Sequence, residues 1–427
     1  TAATEMDLPA RPRPEIAHHA ALDARLAKAA RGVRLLSLAS WPASEQQAFL
    51  AGWARGNPRL PAYAYPKHDF SDARREFAAI AAAADPAHPL GVYLVESAQG
   101  WSLAAELLEQ LGTPAVTGLS VALFGKPDHA LPGGATTREA ANHFIAIADE
   151  LDRELLAPEE QVAISATSLS LQLQAALDDY FDGRVITVEL DPDLIAKAAA
   201  GPNRIRLRAG AAFSDYDRHP LLQHEAFVHS LTALNGQQQK VLPSMGLSSP
   251  RTTATQEGLA TFAEQITGSI DIERMKRVSL RIEAVALALD GADFMQVFRY
   301  FLDAGQGDVE SFTSAQRVFR GVPTTGGAAF TKDTVYLRGL IGVHTFFRWA
   351  LKHRKLRLCR LLFAGKMTLA DVQRLEPLFD SGDLQEARWL PEWVSRANGL
   401  AGMLAFSLFA NRIRLEQIVD AESVVDL

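Results

Sequence analysis

Leu221-Leu-Gln-His224-Glu225-Ala226-Phe227-Val228-His229, followed after a loop by Gln256-Glu257-Gly258-Leu259-Ala260, is the stretch around which the rest of the chain has to be folded. It carries two imidazoles, a carboxylate beside the first of them, and a second carboxylate on a later apolar segment. That is the donor set of a one-zinc hydrolase site, in which three protein ligands of the His/His/Glu kind leave a fourth position for water. His224, His229 and Glu257 fill the three places, for one zinc per chain, and Glu225 is left over as a base.

The histidines are five apart, not four as in the common His-Glu-x-x-His helix. At about 100° per residue, positions four apart differ by roughly 40° and share a face, whereas positions five apart differ by roughly 140°. A regular α-helix therefore splays them. One turn widened to i→i+5 hydrogen bonding brings them together, so a π-bulge or comparable distortion is predicted between His224 and His229. The competing reading is a helix with one core and one solvated histidine, since short motifs often match by chance. Three local features favour the site. Residues 203–210 alternate like an exposed-edge strand. The helix opens at Pro220 and meets a stop signal at Asn235-Gly236. Thr253-x-x-Gln256 has the form of a capping box, which puts Glu257 in the first turn of a second helix, where the dipole favours a carboxylate.

His-Glu-x-x-x-His, Leu234-Asn235-Gly236, Gln256-Glu257-Gly258-Leu259-Ala260 and, later, Phe330-Thr331-Lys332-Asp333-x-x-Tyr336-Leu337 together resemble the QEGLA-motif family. Its bacterial members carry the label flavohemoglobin expression-modulating proteins, and its animal relatives include the microtubule-associated tyrosine carboxypeptidases. The resemblance runs from about Ala20 to about Trp393. It implies a gluzincin-like zinc carboxypeptidase acting on peptide or protein C-termini, with His224, His229 and Glu257 as ligands and Glu225 as the catalytic glutamate. The tubulin substrate of the animal enzymes does not carry over.

Composition narrows the alternatives. A chain of 427 residues with 48% hydrophobic content buries a large core, and a formal net charge of −7 offers no basic face for nucleic acid. The single cysteine, Cys359, excludes an internal disulfide framework and any multi-cysteine metal site. No apolar run approaches the ~20 residues of a membrane span, and the cytoplasm is the default location. The chain opens on Thr1 rather than methionine, which leaves open a removed leader or a trimmed chain.

The expected fold class is helix-rich α+β: a gluzincin-like catalytic lobe, a mixed α/β N-terminal lobe and a helical C-terminal part. Residues 1–14, with three prolines among arginines, suggest a flexible tail, and 15–160 the N-terminal lobe. There, helices are predicted over 15–30, 44–53, 71–84, 100–112 and 138–155, with strands over 33–38, 89–96 and 116–125. The catalytic lobe, 161–300, takes a helix over 161–182, a strand over 184–190 and the exposed-edge strand Arg204–Arg208. Residues 301–427 are mostly helical and complete the cleft.

Further candidates surround the ligands. Glu264, two turns beyond Glu257, suits a partner for a ligating histidine. Tyr336 is a candidate oxyanion donor, and Lys332 or Arg338 a cation for a substrate's terminal carboxylate. The edge strand, through Arg206, is a candidate for holding substrate backbone by strand addition, against the alternative of an ordinary edge with solvated arginines. His344 is a weaker candidate than Tyr336. The basic stretch 346–360 suits an acidic partner or a membrane surface, and more often simply a solvated face. Two rivals remain: a regulatory or binding protein that keeps zinc without turnover, and a nonpeptidic zinc amidohydrolase.

Overall fold

Ile16, His19, Leu22, Asp23, Leu26, Ala27 and Ala30 recur at three- and four-residue spacing and are buried along one face of the helix Pro14–Ala30. The computed structural model describes residues 13–154, 162–194 and 196–413. The expected tail lies outside the described residues up to position 12, and Pro14 already sits in the first helical turn, where its missing N–H is no loss. Helices follow at Ala43–Ala54, Ser71–Ala83, Pro89–Glu109, Ala115–Phe124 and Thr137–Glu154.

Three expected strands in this part are helical instead. Residues 35–38 form one helical turn, 89–96 open the long helix Pro89–Glu109, and all of 116–125 but Gly125 falls in Ala115–Phe124. The first described part of the chain is thus helical where a mixed α/β lobe was expected. In Ala115–Phe124, Val116, Ser120 and Phe124 are buried at a helical four-residue spacing, hidden in the sequence among partly exposed apolar neighbours, while in Pro89–Glu109 the reason is burial on nearly every side. Leu90, Tyr93, Leu94, Ala98, Trp101, Ala104, Ala105, Leu107 and Leu108 are all buried, and a helix covered all round shows an apolar run with no helical period.

These helices share one core with helices from the far end of the sequence. The Phe49 ring lies 5.2 Å from Phe294, 4.9 Å from Phe298 and 5.2 Å from Phe312, distances typical of offset and edge-to-face packing. A second, smaller core lies between the helix Ala166–Phe181, the strands and the segment that bears the histidines.

Five short strands accompany that second core: β1 (Ala163–Ile164), β2 (Thr187–Asp191), β3 (Ala198–Ala200), β4 (Arg204–Arg208) and β5 (Phe213–Ser214). β1 and β5 pair antiparallel, and the other three form a sheet in the order β2-β4-β3, with β4 parallel to β2 and antiparallel to β3. β4 alternates as expected, Ile205 and Leu207 in and the arginines out, but it is the central strand. The edge on this side is β3, three alanines whose weak strand preference leaves no signal in the sequence. Strand addition at Arg204–Arg208 is therefore ruled out, and Arg206 donates to Asp191 at 2.9 Å across the sheet.

Two contacts fix the elements that carry the site. The helices Thr253–Ile266 and Val335–Lys352 cross at Gly258 and Gly339; a Cβ on Gly258 would lie 2.3 Å from the Gly339 carbonyl, and one on Gly339 2.1 Å from the Ala254 oxygen. On the other side, buried Asp23 accepts from the Ser244 backbone N–H at 2.8 Å and from the Ser244 hydroxyl, pinning the connector between the two motif segments. Burial pushes the Asp23 carboxyl up to about 7.

Gly258→Ala is expected to cost about 1–3 kcal/mol of stability through overpacking, with the loss read by chemical denaturation. Asp23 titrates in the folded chain well above the ordinary aspartate range. Between about pH 4 and pH 7 the folded chain keeps a proton that the unfolded chain has released, so this group's contribution falls as pH rises. Asp23→Asn removes that titration. Melting temperatures at pH 5 and pH 8 are expected to move in the variant's favour, relative to wild type, at the higher pH; an unchanged difference would contradict the assignment.

Candidate metal centre

A nine-residue π-helix, Leu222–Ser230, carries both histidines. It follows the single α-turn Arg218–Leu221 and runs into the α-helix Leu231–Gln237. The wider turn gathers residues five apart onto one face, as their spacing requires, and the two rings stand 4.8 Å apart, nearly perpendicular. The helix does not stop at Asn235-Gly236. Asn235 is buried and clamps two later segments, donating to the Phe363 and Trp389 carbonyls and accepting from Trp389 N–H.

Glu257 comes from the neighbouring helix Thr253–Ile266, and its ligand atom lies with those of His224 and His229 within 4.8 Å of one another. Its Oε2 is 3.3 Å from His224 Nε2 and 3.4 Å from His229 Nε2, yet it is buried without a hydrogen bond. An orphaned carboxylate oxygen facing two imidazole nitrogens is a costly arrangement unless something sits between them. Ligands about 2.0–2.1 Å from a tetrahedral zinc lie about 3.3–3.4 Å from each other, so the spacing fits such an ion.

The outer ring of the site orients these ligands. His224 Nδ1 donates to Glu264 Oε1 at 2.6 Å, which leaves Nε2 turned to the centre, and Arg274 holds both oxygens of Glu264 at 3.2 Å. Burial pushes the Glu264 carboxyl up, but Arg274 and His224 outweigh it and hold the group down at about 2. Glu264 thus stands where its spacing placed it. His229 Nδ1 faces Gln256 Oε1 at 3.5 Å, and Thr232 donates to the same oxygen at 2.9 Å. The expected capping box at Thr253 does not form: the helix follows a 3-10 turn at Pro250–Thr252, so Gln256 and Glu257 lie past its first turn and face inward.

Lys332 is buried and donates to Glu257 Oε1 at 3.0 Å. It is thereby committed to Glu257, not free for a substrate carboxylate. Burial pushes Glu257 up, but Lys332 and the two imidazoles hold it well below the usual carboxylate range. Tyr336 lies beside this pair: its hydroxyl accepts from Arg317 at 3.3 Å and stands 3.4 Å from Lys332 Nζ. Arg317 in turn grips Asp333 through two bonds of 2.7 and 2.6 Å. Arg338, two residues after Tyr336, is rotated by about 200° on the helix and meets Gly125 instead. His344 packs on the Phe262 ring, away from the ligands.

Glu225 is half-buried and accepts no hydrogen bond among the described residues. Its charge reaches His224 and Lys366. Lys366, which carries no motif of its own, is buried with its Nζ on the Ser248 hydroxyl at 2.8 Å, and burial lowers its ammonium to about 8. Gln256 lay inside the quoted motif but looked like a cap. Arg274, Arg317 and Lys366 come from three other segments, and nothing local marks them. The basic stretch 346–360 is no single helix: the helix ends at Lys352, Arg354 turns with φ of 60°, and Lys355 and Arg357 pair with Glu376, Asp380 and Glu386. No described helix is long and apolar enough to cross a membrane.

Glu264→Ala leaves all three ligands in place but releases the His224 ring and strands Arg274. Metal affinity is expected to fall about 10–100-fold, measured by competition with a chelating dye.

The model of the microtubule-associated tyrosine carboxypeptidase family matches residues 47–412. No curated protein sequence matches the chain. Among solved structures, Trypanosoma cruzi metallocarboxypeptidase 1 aligns over 94% of this chain and 99% of its own, with 14% identity and a TM-score of 0.41. The family match spans most of the sequence and takes in every ligand candidate, so the chain belongs to the microtubule-associated tyrosine carboxypeptidase family and is a peptidase.

Proposed function

We propose that the chain is a zinc-dependent carboxypeptidase of gluzincin-like arrangement, with His224, His229 and Glu257 holding one zinc and Glu225 acting as the base. The observation that carries this reading is the buried, unbonded Glu257 Oε2 at almost equal distance from two imidazole nitrogens. Zinc bound there would polarise the scissile carbonyl and make a water acidic enough to attack it near neutral pH.

The chain's own residues account for the remaining steps. Glu225, next to His224 and free of hydrogen bonds among the described residues, takes the proton from the attacking water and passes it to the leaving amine. The Tyr336 hydroxyl already receives a bond from Arg317, and Lys332 is a second donor beside it. Its own proton is left to stabilise the oxyanion. The free edge of β3 is the strand beside the histidines, and Ser230 on the π-helix ties down its end through the Gly201 carbonyl at 2.7 Å. It is suited to hold the substrate backbone by strand addition, the role expected of Arg206 and its strand. The substrate is a peptide or protein C-terminus, and the family's name makes tyrosine the first residue to try.

Glu225→Ala is expected to keep about one zinc per chain while its rate falls by 10²–10⁴ or more. Metal analysis of both proteins, with mass spectrometry of residues released from a peptide library, tests this. Zinc in both with cleavage by neither favours a binding protein, and absence of zinc removes the site assignment.

A further inference from the structure

We propose that Arg281 takes the free carboxylate of the substrate's last residue and so makes the site select chain ends. The proposal rests on the carboxypeptidase reading above and supplies the anchor that Lys332 and Arg338 do not provide.

Arg281 lies on the helix Ile272–Leu289, seven residues after Arg274. Residues seven apart fall on one face, and Arg274 on that face already holds Glu264 behind His224. Arg281 stands within electrostatic reach of Arg274, Arg317, Asp333 and Tyr336. Its Nε is buried without a hydrogen-bond partner, and the side chain forms no ion pair among the described residues.

The neighbouring charges leave this cation over. Lys332 is bonded to Glu257, Arg274 to Glu264 and Arg317 to Asp333. Each carboxylate of the cluster has its cation, and Arg281 and Arg320 are left without an ion pair among the described residues; Arg320 is turned to the Phe330 ring, 5.9 Å away, and towards Tyr65, whereas Arg281 shares the helix face of Arg274 behind His224. Burial and the adjacent Arg317 bring its guanidinium down to about 10, so it stays charged at neutral pH. A divalent ion on Glu257 would make the local excess of positive charge larger still. An unpaired buried charge is costly, and an anion arriving with the substrate relieves it.

A terminal carboxylate is that anion in chemical class, and a guanidinium binds it through two parallel N–H···O bonds. Another unassigned cation, Lys366, is a poorer anchor. It stands within electrostatic reach of Glu225 and Glu257 and already donates to Ser248, so a further carboxylate there meets repulsion from the base.

The test uses the zinc-loaded full chain and matched peptides that end in a free carboxylate or in an amide. Wild type is expected to prefer the free acid by about 100-fold in kcat/KM. Arg281→Ala is expected to lose about that factor on the acid and only a few-fold on the amide, with Arg281→Lys recovering part of the preference. Calorimetric binding of N-acetyltyrosine against its amide reads the same discrimination without turnover, and zinc content with thermal melts establishes that both variants fold. If Arg281→Ala keeps the acid preference, or if Lys366→Ala loses it instead, the anchor is not Arg281. If wild type cleaves both peptides equally, the carboxypeptidase reading fails and the anchor with it.

Discussion

Two helices touch backbone to backbone where Gly258 meets Gly339, and the geometry of the candidate metal centre depends on that contact. The residue before Gly258 is the candidate ligand Glu257; three residues before Gly339 stands Tyr336, and seven before it Lys332. Any side chain at the crossing would hold the helices apart and draw Lys332 away from Glu257 Oε1. The QEGLA motif is therefore as much a packing motif as a chemical one. Its glutamate supplies a ligand, its glutamine steadies His229, and its glycine lets the next helix come close enough to hold both in place.

Around this contact the charges are arranged in pairs. Glu264 with Arg274, Asp333 with Arg317 and Glu257 with Lys332 each put a carboxylate against a cation in the interior. Such pairs contribute little net stability, because desolvation consumes most of their attraction. Their value here is positional. They fix the tautomer of His224, the rotamer of Glu257 and the direction in which the Tyr336 hydroxyl can donate.

The peptidase chemistry draws on parts of the chain far apart in sequence. Leu222, Ala226 and Leu231 around the histidines and Ala198 and Ala200 of the edge strand pack in the smaller core, whereas the neighbours of Glu257 and Lys366 and Tyr336 itself pack in the larger one, which Val228 between the histidines also joins. The cleft residues converge where the two cores meet, and the connector between them is pinned by Asp23 from the first described helix and by Lys366 from near the end. Family membership accords with this, since a match over residues 47–412 takes in both cores.

What the sequence by itself determined is the peptidase family and the local geometry of the histidine segment. The family, a candidate ligand set and a candidate base were legible in a few dozen residues, and the five-residue spacing of His224 and His229 called for the wide turn found at Leu222–Ser230. These are short-range properties: donor types and angular periods are written in consecutive residues. Only the tertiary structure decided which neighbours the ligands have. It turned Gln256 from a cap into a partner of His229, put Lys332 on Glu257, carried Arg338 to the far face of its helix and left Arg281 unpaired. It also made β4 central, because three alanines took the edge, and made a helix of the apolar run at 89–96, which lies buried on nearly every side. Each of these outcomes depends on what packs against a residue from elsewhere in the chain, and no local pattern encodes that.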